Sequence, residues 1–319
     1  MPQTRIFITG ATGYLGQVLT EFAIAQGHTV RGLSRKEAND AKLTRLGATP
    51  VRGDLETLDV LKSESAQADI VIHLADALLG LGFDTPYDKV LAIDAAAVDA
   101  MVAGLQSSGD EAKTLITTSG TLMARPDPNG EETSEDAPDN LDSPITRYKA
   151  WDYAKAVAEK AGVRVMCVRL APFVYGRGGS GIKMFMQGAA TSKVAIYVDG
   201  GSTRTTTVHV DDAARLYLLV AEKGRGGEAY NASGETNVTM KELQEAIAET
   251  VGVPALNLSK EDASAKMPPF FVNFLVSENR GSNKKAVSEL GWQPTGSGII
   301  DEIRKGSYVE VAKTLPKEE

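Results

Sequence analysis

The chain has 319 residues, 42% of them hydrophobic and 24% charged, with a formal charge of −8 at pH 7. That is enough chain to bury a large core, in one big domain or two coupled ones. The acidic balance argues against nucleic acid and anionic membranes as partners, since neither carries the opposite sign.

The first ten residues, MPQTRIFITG, run straight into a strand-like stretch and leave no room for a signal peptide. No apolar run reaches membrane-spanning length. The lone cysteine, Cys167, lies inside the apolar run VRVMCVRL and reads as a small core residue. With no internal disulfide possible, a reducing, cytoplasmic setting is expected.

RIFIT, TVRGLS, TPVRG, DIVIHLA, KTLITTS and VRVMCVRL are short, mostly apolar runs of strand length. Helix-like segments such as YLGQVLTEFAIAQG, LETLDVLKSESAQA and DKVLAIDAAAVDAMVAGLQ separate them. Apolar strands alternating with amphipathic helices predict an α/β fold with a doubly wound parallel sheet, covered on both faces. This dinucleotide-binding, Rossmann-type part is expected over residues 1–175.

Residues 124–144, ARPDPNGEETSEDAPDNLDSP, interrupt the alternation with four prolines and seven acidic residues. A loop of that length is expected to be either a functional lid or a solvated insertion. Beyond Gly176 the alternation lapses, and residues 176–319 are expected to form a smaller, mainly substrate-side region. Segments around 205–232 should return to the main sheet. In this half, VDDAARLYLLVAEK is a helix with Asp211 or Asp212 near its N-cap, and Thr239 with Glu242 spells a capping box. GRGGSGIKMFMQ, with Met184, Phe185 and Met186, suits a cover over an apolar ligand; PPFFVNFLV offers pocket wall or core.

TGATGYLG, residues 9–16, follows the first strand and opens a helix. Gly10, Gly13 and Gly16 let the backbone turn tightly and approach a pyrophosphate at the helix N-terminus, where N–H groups point outward. The strand before and the helix after supply the context this motif requires. At the end of the second strand a carboxylate would select NAD. This chain has Ser34, Arg35 and Lys36 there, and an arginine can clamp a 2′-phosphate through two parallel hydrogen bonds. NADP(H) is therefore expected over NAD(H).

TGATGYLG, VRGDL at 51–55, VIHLA at 71–75, TTSG at 117–120, VRLAPFVYG at 168–176 and VHVDDAA at 208–214 occur in order. With LGWQPTG at 290–296, this chain resembles the short-chain dehydrogenase/reductase superfamily over nearly its whole length, in the extended, epimerase/dehydratase-like branch. The resemblance implies that Thr9, Gly10, Gly13, Tyr14, Leu15 and Gly16 cradle the pyrophosphate. It places Asp54 and Leu55 by the adenine, Leu74 and Ala75 along the cofactor, and Pro172, Phe173 and Val174 at the nicotinamide. Ser119 takes the place of the family's active-site serine or threonine, which hydrogen-bonds a substrate oxygen.

The family's Tyr-x-x-x-Lys pair is missing from RYKAWDYAK, residues 147–155. A lysine one helical turn on would lower the phenol's pKa toward working pH. One frame puts Lys155 at the lysine position and Trp151 at the tyrosine position; the other uses Tyr148, with Asp152 in place of lysine. Counting to Arg169, the first leaves 18 residues and the second 21, and the resemblance implies a long helix. The stretch is also similar to an atypical subgroup carrying R-x-x-S-E, with Asp152 standing for its Glu. The second frame, Tyr148 and Asp152, is chosen, and Lys155 stays as a further candidate on nearly the same face.

His28, His73 and His209 show no metal-ligand spacing; His73 reads as a hydrogen-bonded core residue and His209 as part of a junction or cap. Arg204 could meet an anionic group. The leading expectation is an NADP(H)-dependent oxidoreductase acting on a carbonyl or secondary alcohol of a small organic molecule. Two others stay open: an epimerase, dehydratase or cyclase on the same fold, and a non-enzymatic NADP(H)-binding sensor. A homodimer is compatible with the resemblance.

Overall fold

The structure, a computed structural model, describes residues 3–82, 85–107, 113–143 and 145–316. The first half runs β1 (Arg5–Thr9), α1 (Tyr14–Ala25), β2 (Thr29–Ser34), α2 (Glu37–Arg45), β3 (Thr49–Arg52), α3 (Leu58–Gln67) and β4 (Ile70–His73). It continues with α4 (Leu78–Leu81), α5 (Tyr87–Gln106), β5 (Thr114–Gly120), α6 (Arg147–Lys160), β6 (Arg164–Leu170) and β7 (Phe173–Tyr175). Then come α7 (Ser180–Ser192), β8 (Ala195–Val198), β9 (Arg204–His209), α8 (Val210–Lys223), β10 (Ala229–Ala232), β11 (Glu235–Thr239) and α9 (Met240–Val251). β12 (Ala255–Leu258), α10 (Lys260–Lys266), α11 (Pro269–Leu275), α12 (Lys284–Leu290), α13 (Ile299–Lys305) and α14 (Tyr308–Lys313) close the chain.

Seven parallel strands in the order β10-β6-β5-β4-β1-β2-β3 form the central sheet. The order reverses between β1 and β4, and a ligand crevice belongs outside the carboxyl ends of the strands at that point. Near-continuous burial along β1, β4 and β6 explains why they read as apolar runs. One face packs on α1 and α8 through Leu19, Val210 and Tyr217; the other packs on α3, α5 and α6 through Leu61, Met101 and Ala158. Between residues 205 and 232, β10 joins the central sheet, whereas β9 pairs with β7 and β11 in a separate three-stranded sheet. A third core, built around Ile182, Leu243, Leu275 and Tyr308, belongs to the C-terminal region.

Helix α2 gave no periodic signal because Leu43 is its buried residue and the rest is polar. What stabilises it is charge order: Glu37 and Asp40 in the first turn, Lys42 and Arg45 in the last, all aligned with the helix dipole. The capping box at Thr239 and Glu242 forms as expected. The cap of α8 is different. His209 has the extended backbone a cap requires, and its ring accepts the Asp211 N–H at 3.2 Å, while Asp211 and Asp212 are already helical. Asp212, 1% exposed, instead accepts the backbone N–H groups of Thr295 and Gly296 at 3.0 and 2.8 Å, tying the LGWQPTG segment to α8.

The acidic loop after β5 is strapped down over its described part. Ala124 bridges Asp139, and Thr133 bridges Gly281. Arg169 donates to the Glu135 carbonyl at 2.8 Å, and the buried Glu135 carboxylate accepts the Asn231 N–H at 2.7 Å. Arg204, a candidate for an anionic ligand, pairs with Glu278 at 2.7 Å and donates to the Gly130 carbonyl at 3.2 Å. Pro144 lies outside the described residues.

Candidate active site

The glycine loop has the geometry a pyrophosphate needs. Gly10 holds φ +73°, and a Cβ there would lie 2.9 Å from the Ala75 nitrogen; one on Gly16 would lie 2.1 Å from the Gly10 carbonyl oxygen. The turn closes through the Gly13 N–H to the Gly10 carbonyl at 2.9 Å. Gly13 then caps α1 and, being glycine, makes no side-chain bond to the helix N-terminus. Its first N–H groups are thus left for an external anion. Leu15 packs against the α1/α8 core. Tyr14 is turned elsewhere: its hydroxyl donates to the Gly176 carbonyl at 2.7 Å. Burial raises that phenol's pKa far above its ordinary value.

Thr9 and Ala75 belong to a relay beneath the loop. The Ala75 N–H donates to Thr9 Oγ1 at 3.3 Å, Thr9 Oγ1 lies 2.7 Å from His73 Nδ1, and His73 Nε2 lies 3.0 Å from Asp94 Oδ1. A His73 tautomer with its proton on Nε2 satisfies all three bonds. Burial alone would lift the Asp94 carboxyl, but His73, and Arg147 beyond it, hold it below the usual range. His73 is thus the hydrogen-bonded core residue the sequence suggests, 3% exposed.

At the end of β2, Ser34 is buried and donates to the Lys36 carbonyl at 3.1 Å, so its hydroxyl serves the turn. Arg35 and Lys36 are exposed, with the Arg35 guanidinium beside Gly80 of α4. Asp54 spends Oδ1 on the N–H groups of Glu56 and Thr57, and Leu55 is buried next to it.

A cavity of about 610 Å³ opens at the carboxyl ends of β4, β5 and β6. Leu74, Asp76, Ser119, Arg147 and Pro172 line it, with Phe274 of α11 on its far wall. Phe173 is instead core, its ring 5.2 Å from Phe274 and 5.9 Å from Phe185, and Val174 packs against the sheet core. The PPFFVNFLV stretch is therefore both wall and core.

Ser119 is 5% exposed, and its hydroxyl donates to the Met123 sulfur at 2.9 Å. A thioether is a weak acceptor, so this bond yields readily to a ligand oxygen. Of the four expected catalytic side chains, Ser119 is the one the structure places on this cavity. Tyr148 packs its ring against the α3/α5/α6 core. Asp152 is exposed, its carboxyl raised by partial burial and by Asp139. Lys155 sits 5.9 Å from the centre of the Trp151 ring and close to Gly227.

From α6 it is Arg147, one residue before Tyr148, that lines the cavity. Trp151, Ala154 and Ala158 are the buried stripe of α6, and Arg147, four residues before Trp151, continues it. As the first residue of the helix, Arg147 extends past the sheet edge into the crevice. Its guanidinium pairs with Asp76 and donates to the Thr118 carbonyl at 2.9 Å. A cation in the first turn opposes the helix dipole, and no acidic residue of that turn offsets it. Asp76 supplies the compensation from outside. Burial would lower the Arg147 pKa, but Asp76, Tyr87, Asp94 and Cys167 together outweigh it and keep the group cationic. Tyr87, the first residue of α5, lies against the same cation. Burial pushes its phenol up to about 12, with Arg147 pulling the other way.

Residues 6–233 match the family model for the NAD dependent epimerase/dehydratase family. The chain belongs to that family. It is 33% identical to an uncharacterized protein of Saccharomyces cerevisiae, over 94% of this chain and 98% of the yeast one. It is 29% identical to a 4-hydroxy-2-methyl-3-oxo-4-farnesyl-3,4-dihydroquinoline-1-oxide ketoreductase of Stigmatella aurantiaca, over 79% of this chain and 74% of that one. The UDP-glucose 4-epimerase of Thermotoga maritima shares the fold with a TM-score of 0.77 at 20% identity, covering 97% of this chain and 98% of that chain. The family is enzymatic and uses NAD(P), and its fold is the doubly wound sheet described above. Among the described residues of this member, no helix is long and apolar enough to cross a membrane.

Arg147 and Asp76 are the cavity residues that motif spacing passed over, with Tyr87 and Asp94 as charged or polar neighbours of Arg147. The signal for Arg147 was in the chain: a positive residue opening a helix, in line with an apolar stripe.

Proposed function

We propose that this protein is an NADP(H)-dependent oxidoreductase acting on the carbonyl or secondary alcohol of a small organic molecule. The observation that carries this reading is the convergence of Ser119 and Arg147 on one cavity next to Pro172, at the carboxyl ends of the strands. A nicotinamide cofactor held by the glycine loop would supply or take up the hydride. The chain's own groups handle the oxygen. Ser119 donates its hydrogen bond to the carbonyl oxygen in place of Met123. The Arg147 guanidinium stabilises the negative charge that grows there, as a preorganised cation can in a partly water-excluded site. Arg147 stays protonated, so it is not the proton source. The un-ionised phenol of Tyr87, set against this guanidinium, returns a proton through a water. With its pKa near 12 the phenol remains a donor throughout the neutral range. The substrate is the only partner this reading requires, and it suits a reducing, cytoplasmic setting.

The test is NADPH oxidation by purified protein against a panel of ketones and aldehydes, together with mass analysis of any nucleotide released on denaturation. Exchangeable cofactor and stoichiometric NADPH consumption are expected, and Ser119→Ala should lower kcat about 10²-fold. A full equivalent of retained cofactor with an isomeric product would replace this reading by an epimerase or dehydratase.

The NADP preference rests on Arg35 and Lys36, since Ser34 is occupied by its turn. A charge-assisted bond contributes about 1.5–3 kcal/mol, so Arg35→Ala should shrink the NADPH-over-NADH affinity ratio by about 10-fold or more. Titration of both cofactors into wild type and variant checks this; an unchanged ratio refutes the role of Arg35.

A further inference from the structure

The cavity that Ser119 and Arg147 share has two unlike walls. Opposite the polar strand ends stands α11, whose Phe270, Asn273 and Phe274 turn one helix face toward the cavity. Both phenylalanines are half-buried, and their rings are held from behind. The Phe274 ring lies 5.2 Å from that of Phe173, centre to centre, and stacks on Phe185 at 6.3 Å. Phe270 meets Phe271 edge-on at 5.4 Å, and Phe271 in turn meets Phe185 at 6.5 Å. The aromatic wall is thus fixed by the C-terminal core before a ligand arrives. Leu122, Ile145 and Leu170, likewise half-buried, extend the apolar surface.

Charge is the second observation. Among the described residues, Arg147 is the one cationic side chain of this lining, and Asp76 is paired with it. Asp142, which is exposed, adds another carboxylate, so two carboxylates stand against one guanidinium and the lining is net negative. Arg204, the cation the sequence offers to an anionic group, lies outside the lining and is paired with Glu278. The Arg147–Asp76 pair can polarise one oxygen at close range. It has no net charge to offer a permanent anion, and burying a phosphate or carboxylate without a paired cation is strongly unfavourable.

We infer that the substrate of this site is an uncharged carbonyl compound with an aromatic body, and that nucleotide-linked and other anionic substrates are excluded. The ring lies against Phe270 and Phe274, and the oxygen lies at Ser119. The carbonyl rests on the oxidoreductase reading; the uncharged aromatic body rests on the lining. Offset or edge-on ring contacts add to the gain from burial. A volume of about 610 Å³ lies within the range of small-molecule pockets.

The test is calorimetric titration of the full-length protein, in the presence of NADP⁺, with para-phenylbenzamide, whose amide carbonyl is inert to hydride transfer. One-to-one binding is expected. The analogue with a carboxylate on the far ring should bind at least about 10-fold more weakly, and UDP-glucose should not displace the amide. Phe270→Ala should weaken the amide by about 10-fold. Asn273→Lys places a cation at an exposed position on the same helix face. It should strengthen the carboxylate analogue by about threefold and leave the amide within about twofold. Absence of amide binding, equal affinity for the two probes, displacement by UDP-glucose, or unchanged affinity in Phe270→Ala would each overturn the inference. A failure of the proposed activity is read separately, as no NADPH consumption by a protein that still binds the amide.

Discussion

Replacing Arg147 by alanine should lower kcat for carbonyl reduction by about 10²–10³-fold, the usual cost of removing a group that stabilises charge on a reacting oxygen. Binding of NADPH should persist, because the glycine loop does not depend on Arg147. The same change leaves the Asp76 carboxylate without its partner in a site where both side chains are about one-fifth exposed. A stability loss of about 1–3 kcal/mol should accompany the kinetic one. Arg147→Lys separates the two effects. A lysine keeps the charge but cannot hold Asp76 and the Thr118 carbonyl together in one planar fork, so kcat should recover in part. Tyr148→Phe is the contrasting experiment. Its ring packs on the core, and kcat should stay within about threefold of wild type. Steady-state kcat and KM for the three variants, with NADPH titrations, decide the matter. Wild-type kcat in Arg147→Ala, or a collapse in Tyr148→Phe, would return the catalytic role to the tyrosine.

Gly16→Ala should be the most damaging change to cofactor binding. The added methyl would sit 2.1 Å from the Gly10 carbonyl oxygen and 2.8 Å from the Ala11 Cα, both backbone atoms with no rotamer to yield. Either the helix start moves away from the loop or the loop opens. Overpacking of this kind costs about 1–3 kcal/mol, and the outward N–H groups of α1 are displaced with it. The dissociation constant for NADPH should rise by about 100-fold or more. Fluorescence titration and thermal melting together check this. Undiminished affinity would mean that the first turn of α1 does not carry the phosphate.

Much of the fold could be read from the chain because the signals are local. The parallel strands are buried on both faces, so each reads as an apolar run regardless of its neighbours. The capping box at Thr239 depends on four consecutive residues. The glycine loop is similar: its spacing follows from contacts between Gly10, Gly13 and Gly16 themselves. Helix α2 escaped because one buried leucine makes no stripe; at α8, Asp211 and Asp212 lie in the first turn as expected, and His209 makes the cap bond because a histidine can also accept an N–H.

The side chains of the cavity are where local reading ended. Tyr-x-x-x-Lys spacing fixes which residues share a helix face, but not how that helix is rotated against the sheet. In α6 the rotation is set by Trp151, Ala154 and Ala158 packing inward, and this turns Arg147 into the crevice and leaves Asp152 in solvent. Asp76 and Tyr87 come from other segments and meet Arg147 only in the folded chain. The acidic loop follows the same rule, since its anchors at Arg280, Asn231 and Arg169 are remote in sequence.

By itself, then, the sequence determined the doubly wound sheet, the glycine turn between β1 and α1 and the place of Ser119 at the end of β5, because periodicity, turn chemistry and helix-terminus geometry act over a few residues. Tertiary structure alone decided that Arg147 lines the cavity beside Ser119 and that Tyr148 packs on the core. Both depend on how packed helices are rotated against their neighbours, and that rotation is fixed by contacts between residues far apart in the chain.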